Sequence, residues 1–270
     1  MIRDITIGQY YPVDSPIHRL DPRVKLSATM LYLVSLFVFS GYLGYVLAIA
    51  FVAVCVKLSR VPFRYIVRGL KPVLMLLIIT LLFNIFLTKQ GTELASFWIF
   101  HIYDEGLITA ALMGLRLVLL VIGSSLMTFT TTPNQLTDGL EKGLRGLKVI
   151  HVPVHEIAMM MSIALRFIPI LVEETDKIMK AQQARGADFE SGKLLQRVKA
   201  LIPLLVPLIV SAFRRASDLA MAMEARCYHG GEGRTKMKPL HYKKLDYVGY
   251  LVLAGYLGLV IGSSFVPFLK

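Results

Sequence analysis

Two arginines, Arg185 in the string AQQARGADF and Arg226 in AMEARCYHG, stand in matching surroundings. Aligned on them, Ala181 falls on Ala222, Ala184 on Ala225 and Arg185 on Arg226. A guanidinium stays charged throughout the physiological range and grips a carboxylate with two parallel hydrogen bonds, so the chemistry on offer is recognition rather than bond making. Each string ends a long apolar-rich stretch of helical character, which reads as one helix-and-tip unit used twice. Two units are too few for a solenoid and fit paired surfaces for two similar partners. Taken singly, each arginine also suits the last turn of a helix, where a cation favours the negative end of the dipole and Gly186 supplies a left-handed cap.

Further back in each unit the charges are opposite. Glu173 and Glu174 precede Arg185 at the same offsets at which Arg214 and Arg215 precede Arg226. If the two units cross with rough two-fold symmetry, Glu173 or Glu174 is expected to pair with Arg214 or Arg215 and help fix the crossing. The alternative is two solvated faces with no mutual contact.

Residue patterns for catalysis do not assemble. GADFESGKL, from Gly186 to Leu194, has five residues between its glycines and a leucine after its lysine, so it departs from the phosphate-cradling G-x-x-x-x-G-K-[ST] loop. Neither an H-E-x-x-H pair nor a G-x-S-x-G elbow occurs. His151 and His155 are four apart without a clear third ligand, and Cys55 and Cys227 have no metal-like spacing, which predicts no metal and no cofactor. Met159, Met160 and Met161 read as adaptable packing. If ATP drives this protein, the hydrolysis must belong to a partner.

The elements that must position these residues are those of an all-α polytopic membrane protein. The 270 residues are 55% hydrophobic, the mean hydropathy is +0.61, and several apolar runs approach the roughly 20 residues that cross hydrocarbon. The formal net charge of +12 sits beside those runs. That placement fits cytoplasmic loops and an anionic headgroup surface, not a nucleic-acid groove. Residues 1 to 24 are polar and carry Asp4, Asp14 and Asp21, so insertion is expected to rely on the first spanning helix rather than on a cleavable signal. Within them SPIHRLDPRVKL, Ser15 to Leu26, reads as a stiff basic lead-in at a headgroup surface.

Five spans are expected: a hairpin of Leu26–Ser40 and Tyr45–Val56 about the break Gly41–Gly44, then Pro72–Thr88, Gly106–Phe129 and Tyr247–Val266. The connection bearing Lys57, Arg60, Arg64, Arg68 and Lys71 has no acid and is assigned to the cytoplasm, which puts the N-terminus inside and the C-terminus outside. The loop with Lys89, Glu93, Asp104 and Glu105 is assigned outside, Trp98 and Tyr103 suit an interface, and Phe97–Tyr103 reads as a surface segment. Arg116 is the clearest ionisable residue within an apolar run, with a role facing other helices or a functional one. The spans contain no acid for a proton relay.

Residues 1–130 thus form an N-terminal membrane region of four spans, 131–245 a cytoplasmic coupling-helix module, and 246–270 a C-terminal transmembrane helix. The middle block holds 18 Lys plus Arg against 11 Asp plus Glu. In it Leu136, Leu140, Leu144 and Leu147 suggest an amphipathic helix, Pro153 a helix start, Pro169 a bend, and Pro203 and Pro207 breaks in the apolar centre LIPLLVPLIV. Whether residues 97–103 or 201–210 enter the bilayer is left open by the sequence. Gly255, Gly258 and Gly262 include a weak GxxxG contact spacing.

SPIHRLDPRVKL, the membrane spans and the two Ala-Arg strings, in this order, resemble the transmembrane T component of energy-coupling factor (ECF) transporters. The resemblance implies a non-catalytic scaffold joining two cytoplasmic ABC-type ATPase subunits to a small membrane S component that captures a vitamin or metal ion, in the bacterial inner membrane. It implies that Ala184, Arg185 and Gly186 form one ATPase-docking tip and Ala225, Arg226 and Cys227 the other, each arginine facing acidic residues. Cys227 departs from the Ala-Arg-Gly pattern. The competing readings are a self-contained secondary carrier, disfavoured by the lack of intramembrane acids, and a membrane enzyme acting on lipids, disfavoured by the lack of a nucleophile or metal constellation.

Overall fold

The protein is described here from a computed structural model covering residues 9–38, 41–87, 92–97, 100–187, 189, 194–230, 237 and 239–265. Sequence expectations at Lys89, Trp98, Glu190, Lys193, Gly231, Gly233 and Val266 lie outside these residues. The chain divides into two compact units, Gly8–Gly139 with Leu240–Lys270, and Leu140–Pro239. The last helix therefore joins the same unit as the first spans.

In the first unit α1 (Pro22–Val38) and α2 (Tyr42–Ser59) form the expected hairpin, with Gly41 at the N-cap of α2. Helix α1 starts four residues before its apolar run because Asp21 caps it: Oδ1 of Asp21 accepts the Arg23 N–H at 2.9 Å, and Pro22 occupies the first helical position, where no N–H is needed. The basic connection is itself helical, α3 (Phe63–Leu70), and passes through a 3₁₀ turn at Lys71–Val73 into α4 (Leu74–Leu87). After α4 comes an antiparallel ribbon of β1 (Glu93–Phe97) and β2 (Phe100–Tyr103), with Phe97 opposite Phe100 and Ser96 opposite His101. Of the segment expected at the outer surface, Phe97 thus ends β1 and Phe100–Tyr103 form β2, a small exception to the helices among the described residues.

Helix α5 (Asp104–Thr130) is the spine of this unit and carries Asp104 and Glu105 at its positive N-terminal end. Around it gather α1, α2, α3, α4 and, against α1 and α2, α9 (Lys244–Phe265). Their core holds Tyr32, Leu36, Ala48, Leu119, Leu253 and Val260, all at most 4% exposed. Phe51 stacks on Tyr256 at 4.4 Å between ring centroids, and the Tyr256 hydroxyl shares a 2.9 Å hydrogen bond with Ser35. The buried hydroxyls are thereby paired, as a low-dielectric interior requires.

Helix α6 (Pro133–Gly143) opens with a capping box in which the Gln135 N–H donates to the Thr132 hydroxyl at 3.3 Å and the Thr132 N–H to the Gln135 side-chain oxygen at 3.1 Å. The expected leucine stripe is cut at Gly143, and Leu144–Ile150 continues as a 3₁₀ helix. Glycine at 143 and 146 weakens the α-helix there.

The second unit is dominated by α7 (Val154–Ala184) and α8 (Leu194–Glu224), 31 residues each, packed on one another. Pro153 sits one position before α7, at its N-cap. The breaks expected at Pro203 and Pro207 do not occur, since α8 runs through both. A proline removes one backbone hydrogen bond and bends a helix, and the remaining turns keep it whole.

Five helical stretches among the described residues are long and apolar enough to cross a membrane: Tyr42–Ser59, Phe63–Phe86, Asp104–Thr130, Val154–Ala184 and Lys244–Ser263. The stretch Val154–Ala184, helix α7, is not among the spans expected from the sequence, and α1 is described over 17 residues, up to Val38. The chain is a multi-pass membrane protein. Helix α9 begins at Lys244, so its first turn contains Asp246, an acid within a candidate span. It is 1% exposed, and its two oxygens accept the backbone N–H groups of Asp21 and Lys243, each at 2.7 Å.

Candidate functional site: two capped helix tips and the crossing behind them

Each tip is a helix end closed by the same turn. At the end of α7 the Arg185 N–H donates to the Gln182 carbonyl at 3.0 Å, the Gly186 N–H to Gln183 at 2.9 Å, and the Ala187 N–H back across the turn to Gln182 at 3.0 Å. At the end of α8 the same three bonds recur at the equivalent positions: Arg226 to Met223 at 3.1 Å, Cys227 to Glu224 at 2.8 Å and Tyr228 to Met223 at 3.1 Å. This is the Schellman arrangement, which satisfies carbonyls that the helix leaves without partners and needs a left-handed residue just past the cap. Gly186 takes that position with φ +90° and Cys227 with φ +55°. The departure from Ala-Arg-Gly in the second string therefore leaves the backbone turn intact. The Cys227 backbone lies within the small left-handed well open to residues with a side chain, whereas that of Gly186 lies beyond the well and suits glycine.

Because the turns match, the side chains on them match. Ala184, Arg185 and Gly186 are exposed, as are Ala225, Arg226 and Cys227. Neither guanidinium is engaged in an ion pair among the described residues. Small alanines before each arginine leave its stem uncovered.

Behind the tips, Glu174 on α7 meets Arg215 on α8, with Oε2 to Nη2 at 2.6 Å. The other carboxylate oxygen of Glu174 accepts a hydrogen bond from the Ser211 hydroxyl. Glu173 and Arg214 are exposed, and no ion pair joins them among the described residues. Of the four charges, the structure brings together Glu174 and Arg215 and leaves the others facing outward. Ser211 escaped the sequence reading, although it lies four residues before Arg215 and so on the same helix face, a spacing that marks it as a neighbour. The pair is half exposed, with side chains 39% and 21% accessible, and such pairs contribute only about 0.2–1 kcal/mol. A pair of that strength does not hold the two helices together by itself.

The remaining candidates fall elsewhere. His155 Nδ1 lies 3.0 Å from a Glu141 carboxylate oxygen, an ion pair when the ring is protonated, and no group of three metal-ligating side chains occurs among the described residues. Arg116 of α5 stands 5.8 Å from the Phe37 ring centroid and 5.7 Å from that of Tyr45, facing other helices through cation–π contacts. The segment SPIHRLDPRVKL does not lie free as a lead-in. Lys25 Nζ donates to the carbonyls of His18 and Thr130, and the Tyr11 N–H to that of Phe129, so the segment is bonded to the end of α5. His18 Nε2 donates to the Tyr11 carbonyl at 3.0 Å, which leaves Nδ1 to accept from the Ser15 hydroxyl at 2.7 Å. Burial pushes the His18 pKa below its ordinary value, and the Arg19 guanidinium, bonded to Asp14, holds that carboxyl below the usual range.

These features define an all-α multi-pass membrane protein that presents a repeated helix-and-tip pair. A family model described as CbiQ, cobalt transport protein, matches residues 14–237. The chain is 56% identical over 252 residues to an energy-coupling factor transporter transmembrane protein EcfT of Clostridium kluyveri, covering 93% of each. It is 50% identical over 268 residues to the EcfT protein of Ruminiclostridium cellulolyticum, covering 99% of this chain and 100% of that one. The EcfT protein of Bacillus subtilis is 49% identical over 249 residues, 92% of each. The chain belongs to this family of ECF transporter transmembrane proteins.

Proposed function

We propose that this chain is the non-catalytic coupling scaffold of an ECF-type importer. Two ABC-type ATPase subunits bind the tips at Arg185 and Arg226. ATP binding and hydrolysis change the spacing of those subunits, the tips follow, and the membrane helices reorient a small S component that has captured a vitamin or a metal ion. In this reading the protein lies in the bacterial inner membrane, with the tips and the N-terminus on the cytoplasmic side and the C-terminus outside.

The observation that carries the proposal is the duplicated tip: one hydrogen-bonded turn, built twice at the same offset, with an exposed arginine on each that makes no ion pair among the described residues. A pair of equivalent ATPase grooves requires a pair of equivalent handles, and acidic groove residues would complete the bidentate pairing that a guanidinium offers. The exposed apolar face of α8, with Ile202, Val206, Ile209 and Phe213 each more than half accessible, supports a membrane-embedded neighbour or lipid beside it. The family membership adds the transporter context.

Purification in mild detergent tests this reading. An ATPase pair should accompany the wild-type chain and be lost from an Arg185→Glu, Arg226→Glu double variant that still inserts in the membrane. Retention of the ATPases by that variant, or their absence from the wild type, would overturn it.

A further inference from the structure

The chain leaves the unit built around α5 at Gly139 and re-enters it at Leu240. Both passages meet the start of α1: the outgoing one lies against Pro22 and the backbone of Arg23, and the returning one against the Arg23 side chain. On the outgoing side, Gly139 lies so close to Pro22 that a Cβ on it would stand 3.0 Å from the Pro22 Cβ, 3.3 Å from its carbonyl carbon and 3.5 Å from the Arg23 nitrogen. A side chain there would have to push that ring and backbone away by a few tenths of an ångström. On the returning side, Arg23 Nη2 donates to the Leu240 carbonyl at 3.5 Å, and its guanidinium carbon lies 3.9 Å from the centre of the Tyr242 ring. That is close for a cation–π contact and is formed by a side chain only 16% exposed, where such contacts are strongest.

Arg23 is itself held from behind. Its Nε and Nη2 donate to the two carboxylate oxygens of Asp21, both at 3.0 Å. The Asp21 N–H donates in turn to Asp246, which also takes the Lys243 N–H, so the fork is fixed to the first turn of α9 as well as to α1. A planar fork bonded on two sides and stacked on a third has little freedom left.

We infer that Arg23 is a positioning residue at which displacement of the inserted segment, residues 140–239, is handed to the membrane helices. A pull arriving through two loose connections would be absorbed by turn residues. With both connections seated on one rigid point at the start of α1, it reaches α1 and α9 together. The inference rests on the coupling function proposed above and locates the point of transfer.

The test uses the full transporter with its ATPase subunits and ATP–magnesium as the probe. One pair of spin labels, carried on noncanonical residues, is placed at positions 180 and 221 near the tips, and another at 75 and 251 on exposed faces of α4 and α9. In the wild type, ATP should change both distances by several ångströms. In Arg23→Gln and in Tyr242→Leu the tip distance should still respond while the response of the membrane pair falls at least threefold. Arg23→Lys, which keeps a cation over Tyr242, should recover part of it. Equal responses of the membrane pair in wild type and variants would overturn the inference and leave the coupling function standing. A wild-type tip pair indifferent to ATP would instead refute the coupling function.

Discussion

Glu174 and Arg215 hold equivalent places in two repeats, and their side chains meet at 2.6 Å. Each precedes its own tip arginine by the same interval, about 16 Å along a helix rising about 1.5 Å per residue. A contact between equivalent positions is what an approximate two-fold axis produces, and it gives the two arms equal length. Equal arms suit two equivalent partners, since a displacement at either tip has the same leverage on the crossing.

Exchanging the charges separates register from stability. Glu174→Gln and Arg215→Gln should each cost at most about 1 kcal/mol of stability, because the pair is partly solvated. Each should nonetheless lower ATP-driven transport several-fold at unchanged ATP hydrolysis. Glu174→Arg combined with Arg215→Glu should restore most of the loss. A double-mutant cycle with zero coupling between the two sites would show that the pair does not set the crossing.

The two tips tolerate different residues at their left-handed position. At Gly186, φ +90° makes Gly186→Ala strained, by about 1 kcal/mol or more, and the weakened turn should release ATPase during purification. Cys227→Gly should be neutral or slightly stabilising, because it removes the cost of a left-handed non-glycine residue while keeping the three bonds. The amounts of ATPase retained by the two variants, compared at equal membrane insertion, check this asymmetry.

Asp246 is the acid on which the first and last helices meet. Asp246→Asn replaces one acceptor oxygen by an N–H₂ group facing a backbone N–H, leaving a buried donor unmatched at about 1–3 kcal/mol. The melting temperature of the purified protein should fall by roughly 2–4 °C per kcal/mol. Asp246→Glu, whose longer side chain misplaces both bonds, should also lower it. Unchanged melting in both would mean the carboxylate is dispensable.

The His18 knot should loosen in acid. Its pKa is depressed mainly by burial and also by the Lys25 ammonium, against the Tyr11 carbonyl and Asp14, which act the other way. Folding therefore favours the neutral ring. The stability this knot contributes is complete above the unfolded value of about 6.5 and is lost as pH falls through that value toward the lower folded one. Hydrogen exchange of residues 11–20, corrected for intrinsic rates, should accelerate between pH 7 and pH 5, and His18→Gln should abolish that pH dependence.

Read as a string, the chain already fixes its membrane character, its helical class, the twin Ala-Arg tips and the offset between them. Hydropathy, helix ends and turn chemistry depend on residues within a few positions of one another, so they survive without knowledge of the fold. The string stops short wherever distant segments decide. It offered four charges for the crossing, and only packing of α7 on α8 selects Glu174 and Arg215 and brings in Ser211. It treated Pro203 and Pro207 as breaks, because the cost of a proline is local while the neighbouring turns that carry α8 through it are not. It took SPIHRLDPRVKL for a lead-in, because the partners that tie it down lie far along the chain, at Thr130 and Asp246. Contacts across such separations are set by topology, and only the tertiary structure decides which buried amide, carbonyl and ring each of those side chains meets.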